Sequence, residues 1–323
     1  MSETVAPRVS IIIPAYRSAG TLPAAIESAL AQTAPCEVIV IDDASGDDTL
    51  DVARAMAQRL SGLTVLEQSV NQGPAAARNR GIAAAKGEWI ALLDADDRMA
   101  PGRIAALLSH AEAHDWDMVS DDLLRVTDWD RLEDGRRHWR DGEIGAIDLN
   151  LSQFVWQNHY DHSGRGRELG YLKPLMNRSF LAGHRLWYDE GMRLGEDFDL
   201  YARALIAGAR FGLVDPQGYY AFETPGSLSK SHRAADLKQA YLSARRLEAM
   251  VGGDSDARDA LRALRLLDHK KWAWVRLIEA VHDRNVLEAI GSFAAPPAVI
   301  AELMTRLREH FQRRSARNAD ETA

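Results

Sequence analysis

A short apolar run, Trp89–Leu93 (WIALL), leads straight into three carboxylates, Asp94, Asp96 and Asp97. Like charges this close repel one another, and burial deepens the penalty. A fold tolerates them when a cation neutralises them. Oxygen-only donors suit a hard ion, Mg2+ or Mn2+, better than Zn2+, which favours Cys and His. Mg2+ usually takes one or two protein carboxylates and fills its shell with phosphate oxygens of a substrate. A D-x-D-D at a strand end is therefore a plausible mount for a metal that holds a diphosphate. The plainer alternative is an acidic turn capping the helix that starts near Pro101.

Other residues offer matching chemistry. Asp42 and Asp43 end the run EVIVI (Glu37–Ile41), where one carboxylate can accept hydrogen bonds from a base or ribose; as an alternative, they cap a helix near Asp47. Tyr16, directly after Pro14 and Ala15, presents a ring that can stack on a base, or packs as an ordinary half-buried tyrosine. Arg78 and Arg80 follow Gly73-Pro74 on an Ala-rich segment, and a guanidinium there can grip phosphate. Glu196-Asp197 opens a helix, where two carboxylates make an acidic first turn favoured by the helix dipole. Neither G-x-x-x-x-G-K-[ST] nor G-x-G-x-x-G occurs in the first βα unit, which weakens kinase and dinucleotide readings.

The elements that must position these groups alternate. Val9–Pro14, Glu37–Ile41, Thr64–Glu67 and Trp89–Leu93 read as buried strands; Thr21–Thr33, Asp47–Leu60 and Gly73–Ala85 read as helices, with Thr21 as an N-cap. Alternation over the first 110 residues predicts an α/β fold with a doubly wound, mostly parallel sheet. Ligands of such sheets sit outside the carboxyl ends of the strands, where the polar clusters fall. Thr127–His162 has weak periodicity and is expected to form a β-rich substrate flap. Trp129, Trp139, Trp156, His159 and Tyr160 there are candidate sugar-stacking rings, and Leu169–Pro174 (LGYLKP) is a candidate loop under the acceptor, with Lys173 near an anionic group. From about residue 234 the pattern is helical, broken at Gly252-Gly253 and Pro296-Pro297.

Composition narrows the classes. The 323 residues are 46% hydrophobic, enough for a sizeable core. No apolar run approaches the roughly 20 residues of a membrane span, and no secretory leader is visible, so a cytoplasmic enzyme is expected. A single cysteine, Cys36, excludes an internal disulfide framework. The net charge of −8 argues against nucleic acid as a partner. Between Arg258 and Arg317, however, Lys and Arg outnumber Asp and Glu twelve to seven. Leu261–Val281 and Ala301–Arg314 could therefore rest peripherally on the inner face of a membrane, or could simply pack on the catalytic domain or a second copy.

Four stretches, VSIIIPAYRSAGTLPAAIESALAQT, VIVIDDASGDDT, NQGPAAARNRGIAAAKGEWIALLDADDRM and LGEDFDLYARAL, together resemble glycosyltransferase family 2, with its GT-A fold, over roughly Val9–Gly226. LGYLKPLMNRSF and GEDFDLYARALIAGARFGLV further resemble bacterial succinoglycan-type exopolysaccharide glucosyltransferases. The resemblance implies inverting transfer of a sugar, glucose being the expected one, from a UDP-sugar to an acceptor hydroxyl on a glycan; a tail resting on a membrane would suit an acceptor carried on a lipid diphosphate. It implies Tyr16 and Asp43 at the base; Pro14, at the first strand end, and Arg78, as the phosphate grip, are expected beside them on the donor side. It implies Asp94 and Asp96 at the ribose and diphosphate, Asp96 and Asp97 at Mn2+ or Mg2+, and Asp197 as catalytic base beside Glu196. The Q-x-x-R-W motif of processive members is absent and Glu223–His232 stands in its place, so one sugar per visit is expected. Phe222-Glu223-Thr224-Pro225 occupies the place of an arginine common in the family; His232 or Arg233 is the substitute for closing on the diphosphate. The expected domains are a GT-A catalytic domain over 1–233, divided near 125 into nucleotide-sugar and acceptor halves, and a helical extension over 234–323. Two alternatives remain: a nucleotidyltransferase making nucleotide-sugars, which would want a basic Gly-rich segment near the N-terminus, and a non-catalytic nucleotide-sugar-binding module, which would be expected to have lost these aspartates.

Overall fold

The computed structural model describes residues 6–159, 168–223 and 232–320. It divides into two compact units, Met1–Ser227 and Leu228–Ala323. The first unit runs β1 (Val9–Ala15), α1 (Leu22–Leu30), β2 (Cys36–Asp42), α2 (Thr49–Ala57), β3 (Leu63–Glu67), α3 (Pro74–Ala84), β4 (Trp89–Leu92), β5 (Arg98–Met99), α4 (Arg103–His114), β6 (Met118–Asp121) and β7 (Leu124–Val126). It continues with β8 (Arg136–Arg137), β9 (Ala146–Leu149), α5 (Leu151–Trp156), β10 (Leu175–Asn177), α6 (Arg178–Gly183), α7 (Glu196–Ile206), β11 (Phe211–Val214) and β12 (Tyr219–Phe222).

The main sheet has the order β3-β2-β1-β4-β10-β6-β11-β9. The pairs β3/β2, β2/β1, β1/β4 and β6/β11 are parallel; β10 is antiparallel to both its neighbours, and β9 is antiparallel to β11. β1 and β4 are nearly continuous apolar runs because helices cover both faces of a parallel sheet. α3 lies close over β1 and β2 because position 81 is glycine: a Cβ there would sit 2.5 Å from Ile12 Cγ2 and 2.8 Å from Ile41 Cδ1.

A small second sheet, β5-β12-β7-β8, borders the carboxyl end of β4. It corrects the expected β-rich flap over Thr127–His162. Only β8 from that stretch joins the small sheet; β9 closes the edge of the main sheet, and Leu151–Trp156 is helical behind an Asn150 capping box with Gln153. Helix starts differ as well. Thr21 stands at the N-cap of α1 and Asp48 at the N-cap of α2, both without a capping side-chain bond; Asp47, one residue earlier, accepts from Thr49 N at 3.1 Å.

The second unit consists of α8 (Ala234–Met250), α9 (Ser255–His282), α10 (Val286–Gly291) and α11 (Pro297–Asp320). Part of its core is a cluster of Ala273 and Leu277 on α9 with Val299 and Leu303 on α11. Among the described residues no helix is long and apolar enough to cross a membrane.

Candidate active site

The carboxyl ends of β1 and β2 are tied together, since Asp43 N donates to Ala15 O at 2.9 Å. Asp42 turns inward and accepts from the Ser45 hydroxyl and from Ser45 N. Neither aspartate caps α2, which removes that alternative. The Asp43 carboxylate is buried and accepts from Gln68 Nε2 at 2.6 Å, Gln72 N at 2.8 Å and Gly73 N at 2.8 Å. A carboxylate has about four lone-pair sites, so roughly one remains for a ligand. Gly73 has φ 89°, which favours glycine, and it turns the chain into α3. Pro14 is the penultimate residue of β1, and Tyr16 beyond it is exposed, with the Arg17 guanidinium 5.3 Å from its ring.

The three carboxylates after β4 meet three fates, and none caps α4. Asp94 is 3.3 Å from Arg78 Nη2 and 3.2 Å from Lys173 Nζ. Burial pushes its carboxyl up, but the two cations outweigh this and hold it below the usual range. Asp96 is exposed. Asp97 is buried and accepts from the Tyr219 hydroxyl at 2.8 Å and from Phe222 N at 2.9 Å. Burial, then Asp94 and Asp96, push its carboxyl well above the usual range.

Protein cations thus supply much of the neutralisation that sequence reasoning assigned to a metal. Asp97 accepts one hydrogen bond from β12 on each oxygen, which leaves about two of its four lone-pair sites, and Asp96 beside it is exposed. Among the described residues no three Asp, Glu, His or Cys side chains gather as an ion cage. The all-oxygen donor set with exposed Asp96 still fits a hard cation that draws its other ligands from a diphosphate.

The first turn of α7 completes the cluster. Gly195 (φ 74°) leads into Glu196 and Asp197. Arg78, almost fully buried on α3, reaches Glu196 Oε1 at 2.7 Å and lies 3.6 Å from Asp197 Oδ1. Its guanidinium stacks 5.4 Å from the Tyr188 ring. Arg78 is therefore a buried bridge between strand end and helix rather than a surface arginine. Lys173 Nζ, 6% exposed as a residue, donates to Asp197 Oδ2 at 2.9 Å. Three buried polar atoms here have no hydrogen-bond partner: Asp197 Oδ1, Tyr188 Oη and Arg78 Nε.

Behind this layer stands a support that sequence reasoning missed. Tyr219 Oη donates to Asp97 and accepts from Asp94 N at 3.2 Å. Arg103, fully buried, contacts the Tyr219 ring at 4.9 Å and pairs with Asp121. It also donates to Lys173 O at 2.6 Å. One signal was available: a basic residue opens α4, where the helix dipole disfavours positive charge unless a partner compensates.

On the acceptor side, Trp129 stacks on Phe222 at 5.1 Å with Arg98 over its face, and Trp139 is buried with Nε1 on Gln157. Trp156 is exposed and tilts against His159. Tyr171, exposed, meets His138 edge-on. Tyr160 and residues 224–231 lie outside the described residues; of the two expected substitutes for the family's arginine, Arg233 is the N-cap of α8, with its N–H donating to Asp236 Oδ2 at 3.3 Å, and His232 directly precedes it.

The family model described as Glycosyl transferase family 2 matches residues 10–191. Succinoglycan biosynthesis protein ExoU of Rhizobium meliloti is 38% identical over 310 residues, covering 94% of this chain and 89% of the relative. Succinoglycan biosynthesis protein ExoO of the same organism is 33% identical, covering 96% and 88%. The crystal structure of S. aureus TarS 1–349 in complex with UDP-GlcNAc shares the fold, with a TM-score of 0.66 and 21% identity over 93% of this chain and 85% of that one. Mannosyltransferase PcManGT of Pyrobaculum calidifontis, in complex with GDP-Man and Mn2+, has a TM-score of 0.58 and 19% identity over 93% and 86%.

Proposed function

This chain belongs to glycosyl transferase family 2, and from that premise we propose that it transfers one hexose per visit, with inversion, from a UDP-sugar to an acceptor hydroxyl in the assembly of an exopolysaccharide. The observation that carries this reading is the cluster in which Arg78 and Lys173 join Asp94, at the end of β4, to Glu196 and Asp197, at the start of α7. Donor-side and base-side carboxylates thereby share one set of cations.

The roles divide as follows. Asp43 offers its remaining lone pair to the base, Tyr16 its ring face, and Pro14 ends the strand beneath them. Asp94 faces the ribose and diphosphate. Asp96, with phosphate oxygens, would hold Mn2+ or Mg2+, which when bound offsets the negative charge that grows on the departing phosphate. Asp197 takes the proton of the attacking hydroxyl, since an alcohol is a poor nucleophile at neutral pH. Glu196, its charge balanced by Arg78, lines the acceptor side. Glucose as the sugar and a lipid-diphosphate carrier for the acceptor are part of the same proposal; the succinoglycan relatives support exopolysaccharide biosynthesis. The basic surface of α9 and α11 is the proposed contact with an anionic membrane; absence of salt-sensitive pelleting with anionic liposomes would remove that part.

The test is a panel of UDP-sugars with Mn2+ or Mg2+, following UDP release and acceptor glycosylation. Asp197→Asn should lose about 10²–10⁴-fold in transfer while keeping UDP affinity. Pyrophosphate exchange in place of UDP release would identify a nucleotidyltransferase. Binding without turnover of any donor would identify a binding module.

A further inference from the structure

We infer that Lys173 is a positioning residue for the transfer reaction: it clamps Asp197 through Oδ2, leaves Oδ1 as the oxygen that takes the acceptor's proton, and sets that oxygen's place relative to Asp94. The inference rests on the glycosyltransferase reading above and adds which atom reacts and what aims it.

Asp197 has two oxygens in unlike surroundings. Oδ2 receives Lys173 Nζ at 2.9 Å; Oδ1 is buried, has no hydrogen-bond partner, and lies 3.6 Å from Arg78 Nη1. A buried, unpaired carboxylate oxygen is costly, and an incoming hydroxyl removes that cost by donating to it. The buried Tyr188 hydroxyl lies beside the same carboxylate, and the Arg78 guanidinium stacks on its ring.

The clamp itself is held from both sides. Lys173 O accepts from Arg103 at 2.6 Å, and Arg103 is locked on Asp121 at 2.7 Å. The preceding carbonyl, Leu172 O, accepts from the Tyr201 hydroxyl at 3.2 Å, and Tyr201 lies on α7, the helix that carries Asp197. Lysine and base are thus fixed to each other through backbone as well as through the ion pair. The same ammonium is 3.2 Å from Asp94 Oδ2, so one short cation spans donor-side and base-side carboxylates. An ammonium is a compact point charge with three donors on a flexible stem. A guanidinium is longer and planar, and would move at least one of the two carboxylates.

The test compares full-length wild type, Lys173→Arg and Lys173→Met with UDP-glucose and Mn2+, reading UDP release together with UDP affinity by calorimetry. Lys173→Arg keeps the charge and the fold, so UDP affinity should stay within about threefold while kcat falls by about tenfold to a hundredfold, the scale of a 1 Å misplacement. Lys173→Met should fall further in kcat, and by more than in UDP affinity, which weakens as Asp94 loses its ammonium. Full kcat in Lys173→Arg would overturn the inference, because charge alone would then suffice. So would parallel loss of UDP affinity and kcat in Lys173→Met with complete recovery of both in Lys173→Arg, the mark of a purely structural counter-ion. Should Lys173→Met not fold, Lys173→Arg alone decides. Failure of the underlying reading looks different: wild type would release no UDP from any sugar donor, or Asp197→Asn would match wild type.

Discussion

Replacing Arg103 by methionine should destabilise the first unit heavily, although Arg103 is proposed to touch no substrate. The side chain is fully buried and gives Nε and Nη2 to Asp121 Oδ1 at 3.0 and 2.7 Å, with Nη2 also on Lys173 O at 2.6 Å. Methionine removes the cation and strands Asp121, which keeps the bond from Gln217 N at 2.9 Å. Breaking one side of a buried ion pair costs about 3–5 kcal/mol. Orphaning the Lys173 carbonyl adds about 1–3 kcal/mol. The thioether fills the site and returns about 1 kcal/mol of apolar burial. The net loss is therefore about 3–7 kcal/mol, a large share of the ~5–15 kcal/mol that holds a typical domain folded. At roughly 2–4 °C per kcal/mol for a unit of this size, the melting temperature should fall by about 6–28 °C in calorimetry. The double variant Arg103→Met/Asp121→Asn removes the stranded charge and should regain about 2–3 kcal/mol, since the penalty lies in the uncompensated carboxylate. A single variant melting within ~2 °C of wild type would refute the reasoning. So would a double variant no more stable than the single one, because the pair would then not be what holds this layer together.

Other perturbations separate the neighbouring aspartates and probe the packing. Asp96→Ala, at an exposed position, should change stability by no more than about 0.5 kcal/mol in urea denaturation, yet abolish the Mn2+ enhancement of UDP binding in calorimetry. Asp97→Ala should do the reverse in part: leaving Phe222 N and the Tyr219 hydroxyl unpaired costs about 2–4 kcal/mol by the same urea measurement. Gly212→Ala would set a Cβ 2.0 Å from the Trp116 ring, and should cost at least about 1–3 kcal/mol and perturb tryptophan fluorescence as the Trp116–Asp148 bond is strained. Burial pushes the Cys36 thiol up to about 12. The thiolate is the nucleophile and burial favours the neutral form, so only about 10⁻⁴ of the thiol is ionised at pH 8, and alkylation should accelerate about tenfold per pH unit from 8 to 10 without a plateau.

Much of the nucleotide half was legible because its signals are local. A β-branched run such as Val9–Ala15 declares a buried parallel strand by its own composition, and carboxylates directly after such runs fall at the ligand-binding edge by the rule for open sheets. The ordered motifs from Val9 to Leu205 declared the family. The middle third was less legible because β8, β9, β10 and α5 are two to six residues long, too short for a periodic signal, and owe their conformation to partners far away in the chain.

The chain by itself determined which side chains carry charge, which strand ends they follow, and that Asp197 opens a helix. Tertiary structure decided what each charge does. It sent Asp97 inward to Tyr219, 122 residues away, and left Asp96 in solvent. It brought Arg78 to Glu196 across 118 residues, and Lys173 to Asp197 and Asp94 at once. The physical reason is that propensity and periodicity act over a few neighbouring residues. An ion pair in a buried site depends instead on which atoms the folded sheet brings within about 3 Å, and on how completely it excludes the water that would otherwise screen them.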